Sequence, residues 1–275
     1  MAAGEPRYNA AELRRIFAEQ GYDAIVARSG RNVAYLSGMR FPGTLGRLQD
    51  FTHAPRAAVI VWPASGEPTL LASHIAAGLA RRTSWLADIR GYTEYSESPY
   101  ALAAQVLRER GLAAGRIGVE RREFGVEQWE TLAAGLPQAE LVDCTDQLEA
   151  VRNIKTPAEL ALLRAAAEIQ DAAHLEVFSS VRPGERERDL HARMIATLLR
   201  LGCDSAHGML QASTNIVTYG GEGETRIERG VAVRTDYVSY LEGYAANLSR
   251  MAVMGQPTAE QATLYARLLQ VHQHT

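Results

Sequence analysis

Gly230-Val231-Ala232-Val233-Arg234-Thr235-Asp236, answered by Gly243-Tyr244-Ala245-Ala246-Asn247-Leu248-Ser249-Arg250, is the stretch of sequence that decides the fold. Residues 231–237 and 244–254 read as two strands, the second the longer. Before them, residues 209–212 and 216–219 read as strands following Gly202. After them, Pro257 opens a helix that runs through Leu264, Leu268 and Leu269.

Moving toward the N-terminus, Arg152-Asn153-Ile154-Lys155-Thr156-Pro157-Ala158-Glu159 carries three helix-start signals: Thr156 as cap, Pro157 at the first helical position and Glu159 three residues after the cap. The spacing of Leu160, Leu163, Ala167 and Ile169 extends that helix toward Phe178. Pro183-Gly184 breaks it, and residues 187–200 form the next helix. Ahead of this boundary the pattern alternates. A helix over 9–20, capped by Asn9 and stopped by Gly21, leads into strands at 23–27, 57–62, 69–71, 87–91, 116–120 and 140–142. Helices fall at 32–36, 75–80, after Ser98-Pro99 and at 126–134. Such alternation predicts an α/β layer domain, and the domains divide as 1–147 and 148–275.

The length of 275 residues suits about two domains, and 47% apolar with 22% charged residues is ordinary globular composition. A net charge of -3 gives no electrostatic reason for a nucleic-acid or anionic-membrane partner. Lys155 is the one lysine, and the arginines are scattered among acids. Cys144 and Cys203 lie too far apart for a Cys-x-x-Cys motif, so neither a disulfide framework nor a zinc knuckle is expected. Residues 1–15 are too charged for a signal peptide, and the apolar run 57–64 is too short to cross a bilayer. A cytoplasmic protein without nucleic-acid or membrane partners is the expectation.

Three stretches resemble the creatinase/prolidase/aminopeptidase P family of pita-bread metallohydrolases. Residues 22–26 with Asn32-Val33-Ala34-Tyr35-Leu36-Ser37-Gly38 look like its N-terminal-domain opening. Residues 152–159 are similar to its interdomain "R-x-x-K-[ST]-P-x-E" segment, and the strand pair quoted first lines up with the pair bearing its first two metal ligands. The resemblance implies an α/β (α+β) protein: a ribonuclease H-like N-terminal domain followed by a partial pita-bread domain. It also implies a divalent metal cofactor (Mn, Co or Zn), hydrolysis of a C–N bond in a small peptide or amidino compound, and a homodimer.

In that pattern an aspartate ends the first strand and another follows eleven residues later. This chain has Asp236 at the first place and Asn247 at the second. A two-metal hydrolase needs carboxylates to bridge its ions; asparagine keeps the shape, loses the charge and leaves one carbonyl oxygen as a weaker ligand for a hard cation. The pattern further places a histidine eleven residues before Gly230, where this chain has Tyr219. The family's remaining histidine and two glutamates come from strands beyond the helix after Pro257. The resemblance thus makes Asp236 and Asn247 the metal positions and Tyr219 and Tyr244 substrate-side candidates. It leaves two readings open: an impaired Xaa-Pro peptidase or creatinase homologue, and a non-catalytic fragment or small-metabolite-binding or dimerisation protein.

Other features invite blander readings. Asp204, Ser205 and His207 are too close in sequence for a hydrolytic triad. The glycine-rich run 220–224 lacks a phosphate loop's lysine and reads as a flexible connection. Tyr237 and Tyr240 join Tyr219 and Tyr244 as pocket or packing residues. Arg250 pairs with a carboxylate or, structurally, with Glu242. His53, His74, His174 and His191 have no ligand partner at a useful spacing, and His272 and His274 read as a solvated end.

Overall fold

The computed structural model describes residues 5–39, 57–217 and 221–274; Tyr219 and His53 lie outside them. Two compact units divide the chain, Met1–Ala158 and Glu159–Thr275. The 147/148 division falls inside the helix Thr145–Asn153, whose Leu148 and Val151 are buried in the core of the first unit.

In the first unit the strands are β1 (Ala24–Ala27), β2 (Val59–Pro63), β3 (Thr69–Ser73), β4 (Asp88–Tyr92), β5 (Arg116–Val119) and β6 (Glu140–Asp143). They form one mixed sheet in the order β4-β3-β2-β1-β5-β6, with β1-β2 and β2-β3 antiparallel and the remaining pairs parallel. The helices are α1 (Ala10–Gln20), α2 (Gly30–Ser37), α3 (His74–Thr83), α4 (Pro99–Glu109), α5 (Val126–Gly135) and α6 (Thr145–Asn153). Strand β1 is central and apolar on both faces. Ile25 and Ala27 enter a core with Leu13, Leu36 and Leu148, whereas Ala24 and Val26 enter a second core with Leu107 and Leu132.

The stretch 32–38 has clear structural work. Asn32 is buried and donates to Glu120 Oε1 at 2.5 Å, while Glu120 Oε2 accepts the backbone N–H groups of Arg28 and Ser29, each at 2.8 Å. The carboxylate therefore closes the N-terminus of α2, where the helix dipole favours an anion. At the other end Gly38 has φ 71°, and a Cβ there would lie 2.4 Å from the Trp85 ring, so glycine satisfies both the turn and the packing.

The second unit contains α7 (Pro157–Ser180), β7 (Glu185–Arg186), α8 (Glu187–Arg200), β8 (Ser205–Ala212), β9 (Arg226–Ile227), β10 (Ala232–Leu241), β11 (Tyr244–Val253) and α9 (Ala259–Gln273). Its main sheet has the order β11-β10-β8, antiparallel throughout, and β7 pairs with β9 in a small second sheet. Along β10, Val233, Thr235, Tyr237 and Ser239 are buried and the residues between them are not. That period-two pattern sets one face of the sheet on α7 and α8, through Ala173, Val177, Leu190, Met194 and Leu198.

No strand forms at 216–217, contrary to the alternation. Instead Gln211 Nε2 donates to the carbonyls of Asn215 and Val217, and Asn215 Oδ1 accepts from the Val217 N–H. These local side-chain bonds replace a ladder. No described helix is long and apolar enough to cross a membrane, and Cys144 and Cys203 are both buried free thiols.

Candidate functional site

The β10-β11 hairpin turns on Glu242 and Gly243, both at positive φ, a two-residue geometry that suits the twist of paired strands. The turn fixes the register. Asp236 lies opposite Ser249, and Val238 opposite Asn247, so Asp236 and Asn247 are diagonal neighbours on one face of the sheet. This is the face turned away from α7 and α8. Strand β8 adds Met209 opposite Asp236 and His207 opposite Val238.

Asp236 Oδ1 accepts two hydrogen bonds, from Asn247 Nδ2 at 3.1 Å and from Ser249 Oγ at 3.2 Å. The amide at 247 thus meets the carboxylate as a donor, in the place where a second carboxylate would repel it. Among the described residues no three of His, Cys, Asp or Glu gather into a metal-holding group. One carboxylate already engaged by two neutral donors, with an amide beside it, does not fit a two-metal centre.

The tyrosines separate. Tyr240 shares the Asp236 face and stacks on His207, with ring centroids 5.9 Å apart and planes at 27°. Tyr244 pairs with Leu241 and by parity belongs to the reverse face, away from Asp236. Tyr237 is also on the reverse face, fully buried, and burial pushes its phenol well above the usual range. Asp204 N–H donates to the Tyr240 carbonyl, and Ser205 and His207 follow it on β8, opposite Tyr240 and Val238. Arg250 pairs with Asp171 of α7 at 2.5 Å, and its side chain also reaches the Ser249 carbonyl.

Behind the site lie residues that spacing did not single out. His174 Nδ1 is 2.8 Å from the Gln170 carbonyl and Nε2 is 3.0 Å from Thr235 Oγ1, and burial holds this imidazole below the ordinary histidine pKa. Glu187, the first residue of α8, is fully buried and accepts from Ala212 N–H at 2.6 Å, Asn215 Nδ2 at 2.9 Å and Gly223 N–H at 3.1 Å. Glu222 Oε1 accepts from Leu210 N–H at 2.7 Å and lies 3.0 Å from His191 Nδ1, itself 2.8 Å from the Tyr237 hydroxyl. The glycine-rich run is therefore pinned by its acids at both the helix and the sheet. Its acidic residues were the available signal, and reading the run as a flexible connection concealed the use of Glu222 as a backbone acceptor.

An α/β unit followed by helices backing an antiparallel sheet, with Asp236 on the sheet's open face, defines the two-part architecture of the prolidase class. Two family models match, "Creatinase/Prolidase N-terminal domain" over residues 10–154 and "Metallopeptidase family M24" over residues 161–275. The chain belongs to the creatinase/prolidase/aminopeptidase P family of M24 metallopeptidases, a membership that implies a divalent metal in the family at large. It is 27% identical over 249 residues to a Xaa-Pro dipeptidase of Lactobacillus delbrueckii subsp. lactis, covering 86% of this chain and 65% of that one. It is 24% identical over 270 residues to a creatinase of a Bacillus species, covering 94% and 63%. The chain thus spans somewhat under two thirds of the length of these curated relatives. Among solved structures, a Xaa-Pro dipeptidase from Bacillus anthracis superposes with a TM-score of 0.75 at 21% identity, covering 95% of this chain and 69% of that one. An X-Pro aminopeptidase from Thermotoga maritima superposes with a TM-score of 0.80 at 16% identity, covering 96% and 70%. These two likenesses establish the fold.

Proposed function

We propose that this chain is a Xaa-Pro peptidase- or creatinase-like hydrolase homologue that takes a small peptide or amidino compound on the Asp236 face, and that its two-metal hydrolysis of a C–N bond is impaired. The observation that carries the reading is the 3.1 Å hydrogen bond from Asn247 to Asp236, which puts a neutral donor where ion bridging needs a second negative charge. In this reading Asp236 and Asn247 stand at the metal positions, and Tyr219 serves the substrate side. A cytoplasmic homodimer completes it.

Elemental analysis of the purified chain beside its Asn247→Asp variant, both dialysed against trace manganese, cobalt and zinc, tests the reading. Metal retained by the variant and not by the parent supports it; two equivalents in the parent refute it. A second reading, a binding or dimerisation protein without catalysis, is favoured by surface. Strand β11 is a ten-residue sheet edge, and α9 exposes Leu264 and Leu268, each more than half accessible. Sedimentation of the chain at micromolar concentration addresses it: a dimer favours association through this surface, and a monomer counts against it.

A further inference from the structure

We propose that a cleft in the first unit, between α1 and the end of β2, binds a small aromatic carboxylate, its ring held among Tyr8, Phe17, Tyr22 and Trp62 and its carboxylate by Arg14. Every residue of the cleft falls within 8–64, so the inference does not rest on the reading of the Asp236 face.

Helical spacing builds one wall. Ala10, Leu13, Arg14, Phe17 and Ala18 recur at i, i+3, i+4, i+7 and i+8, a single stripe along α1. Tyr22 follows the helix stop at Gly21, and Trp62 and Ala64, at and just beyond the end of β2, face the stripe from the sheet. Both walls are tied down. Asn9 N–H, at the head of α1, donates to the Tyr35 hydroxyl at 2.8 Å, and Ala64 N–H donates to the Asp23 carbonyl at 2.8 Å. The cleft holds about 470 Å³, a volume in the range of sites for small molecules.

Rings and charge select the ligand. Four of the nine lining residues are aromatic in a chain that is 7% aromatic, so the lining is aromatic far beyond composition. Tyr8 and Trp62 stand edge to face with centroids 5.1 Å apart and planes at 78°, and Phe17 and Tyr22 do so at 6.4 Å and 87°. Such walls give an aromatic guest edge and face contacts that a saturated ring of the same size does not receive. The charge comes from Arg14. Its neighbour Arg15 is engaged by Glu12 and Glu19, whereas Arg14 is exposed and makes no hydrogen bond or ion pair to any described residue. Arg14 also acts on the cleft: burial raises the Tyr8 phenol, Arg14 opposes that rise, and Glu67 acts on the same phenol more weakly than Arg14. An organic cation would suit the rings but not this guanidinium; a carboxylate matches its paired N–H donors. Trp62 supplies another donor, since its Nε1 bonds to no described residue while Trp85 Nε1 donates to the Leu36 carbonyl at 2.8 Å.

Ligand-observed NMR titration of the full chain tests the proposal with three matched probes: 3-phenylpropionate, its saturated analogue 3-cyclohexylpropionate and its cationic analogue 3-phenylpropylamine. Saturable binding of 3-phenylpropionate is expected, with the saturated acid weaker by about threefold or more and the amine by at least about tenfold, as for loss of a charge-assisted bond. Arg14→Gln is expected to weaken 3-phenylpropionate at least about tenfold and to remove its advantage over the amine. Arg15→Gln, on the same helix but outside the lining, is expected to leave binding unchanged. Ala18→Trp, at an exposed position of α1 that lines the cleft, fills the space and is expected to abolish binding, which ties the signal to this cleft. Circular dichroism of the variants verifies that they fold. Absence of saturable 3-phenylpropionate binding, equal or tighter binding of either analogue, or binding undiminished in Arg14→Gln or in Ala18→Trp overturns the proposal.

Discussion

Position 247 illustrates how one side chain redirects a site without disturbing its frame. The hairpin needs only a residue that tolerates a strand, so asparagine leaves the ladder intact while its amide donates to Asp236; in the proposed reading this puts a hydrogen-bond donor at a ligand position. Asp236 and Asn247 were singled out by the family resemblance alone, and the two-residue turn at 242–243 makes these residues, eleven apart, diagonal neighbours. Glu187 was not legible, because its partners come from β8 and the segment after it, brought to α8 by packing alone. Its replacement by alanine leaves three donors without an acceptor and is expected to cost about 3 kcal/mol of unfolding free energy, the scale of losing bonds to a buried charge. Urea denaturation followed by tryptic protection of the second unit measures it; a loss under about 1 kcal/mol would show the carboxylate to be dispensable.

Among the elements, most helices and strands could be read from caps and periodicity, since Asn9 and Ser98 act locally as caps; the last helix was read as opening at Pro257, whereas its cap is Thr258. Pairing was harder to read. The two-residue strands β7 and β9 have too few residues to show alternation, and nothing in the tyrosine spacing told which face Tyr244 would take. Strand β8 approaches β10 so closely at Gly208 that a Cβ there would lie 2.4 Å from the Asp236 carbonyl oxygen. Gly208→Ala is therefore expected to destabilise by about 2 kcal/mol, the usual cost of overpacking, and thermal unfolding that leaves Tm unchanged would contradict it.

Helix α7 meets β10 through His174 and Thr235, where burial lowers the histidine pKa. The sign follows from linkage. The unfolded chain binds the proton more readily, so this contribution is whole above the ordinary histidine pKa and is lost as pH falls from there through the lowered folded value. Tm measured from pH 7.5 down to 5 is expected to decline more steeply for the parent than for His174→Gln; parallel curves would count against it.

At the scale of the whole chain, two units each hold their own core. Residues 1–158 expressed alone are expected to unfold in one cooperative transition, and a broad, non-cooperative melt would contradict this. Family membership was readable from three short stretches because their residues do local work: Asn32 and Gly38 at the two ends of α2, Pro157 at the start of α7, and the 236/247 diagonal. The site's full chemistry was less readable, since it depends on which face each strand residue takes and on what the helices hold behind it.

The central proposal is that a chain with Asn247 beside Asp236 does not bind a metal pair there. Metal content of the dialysed chain and of Asn247→Asp, measured side by side, tests it most directly. The account predicts no stoichiometric manganese, cobalt or zinc in the parent and a gain on restoring aspartate; two equivalents in the parent would contradict it.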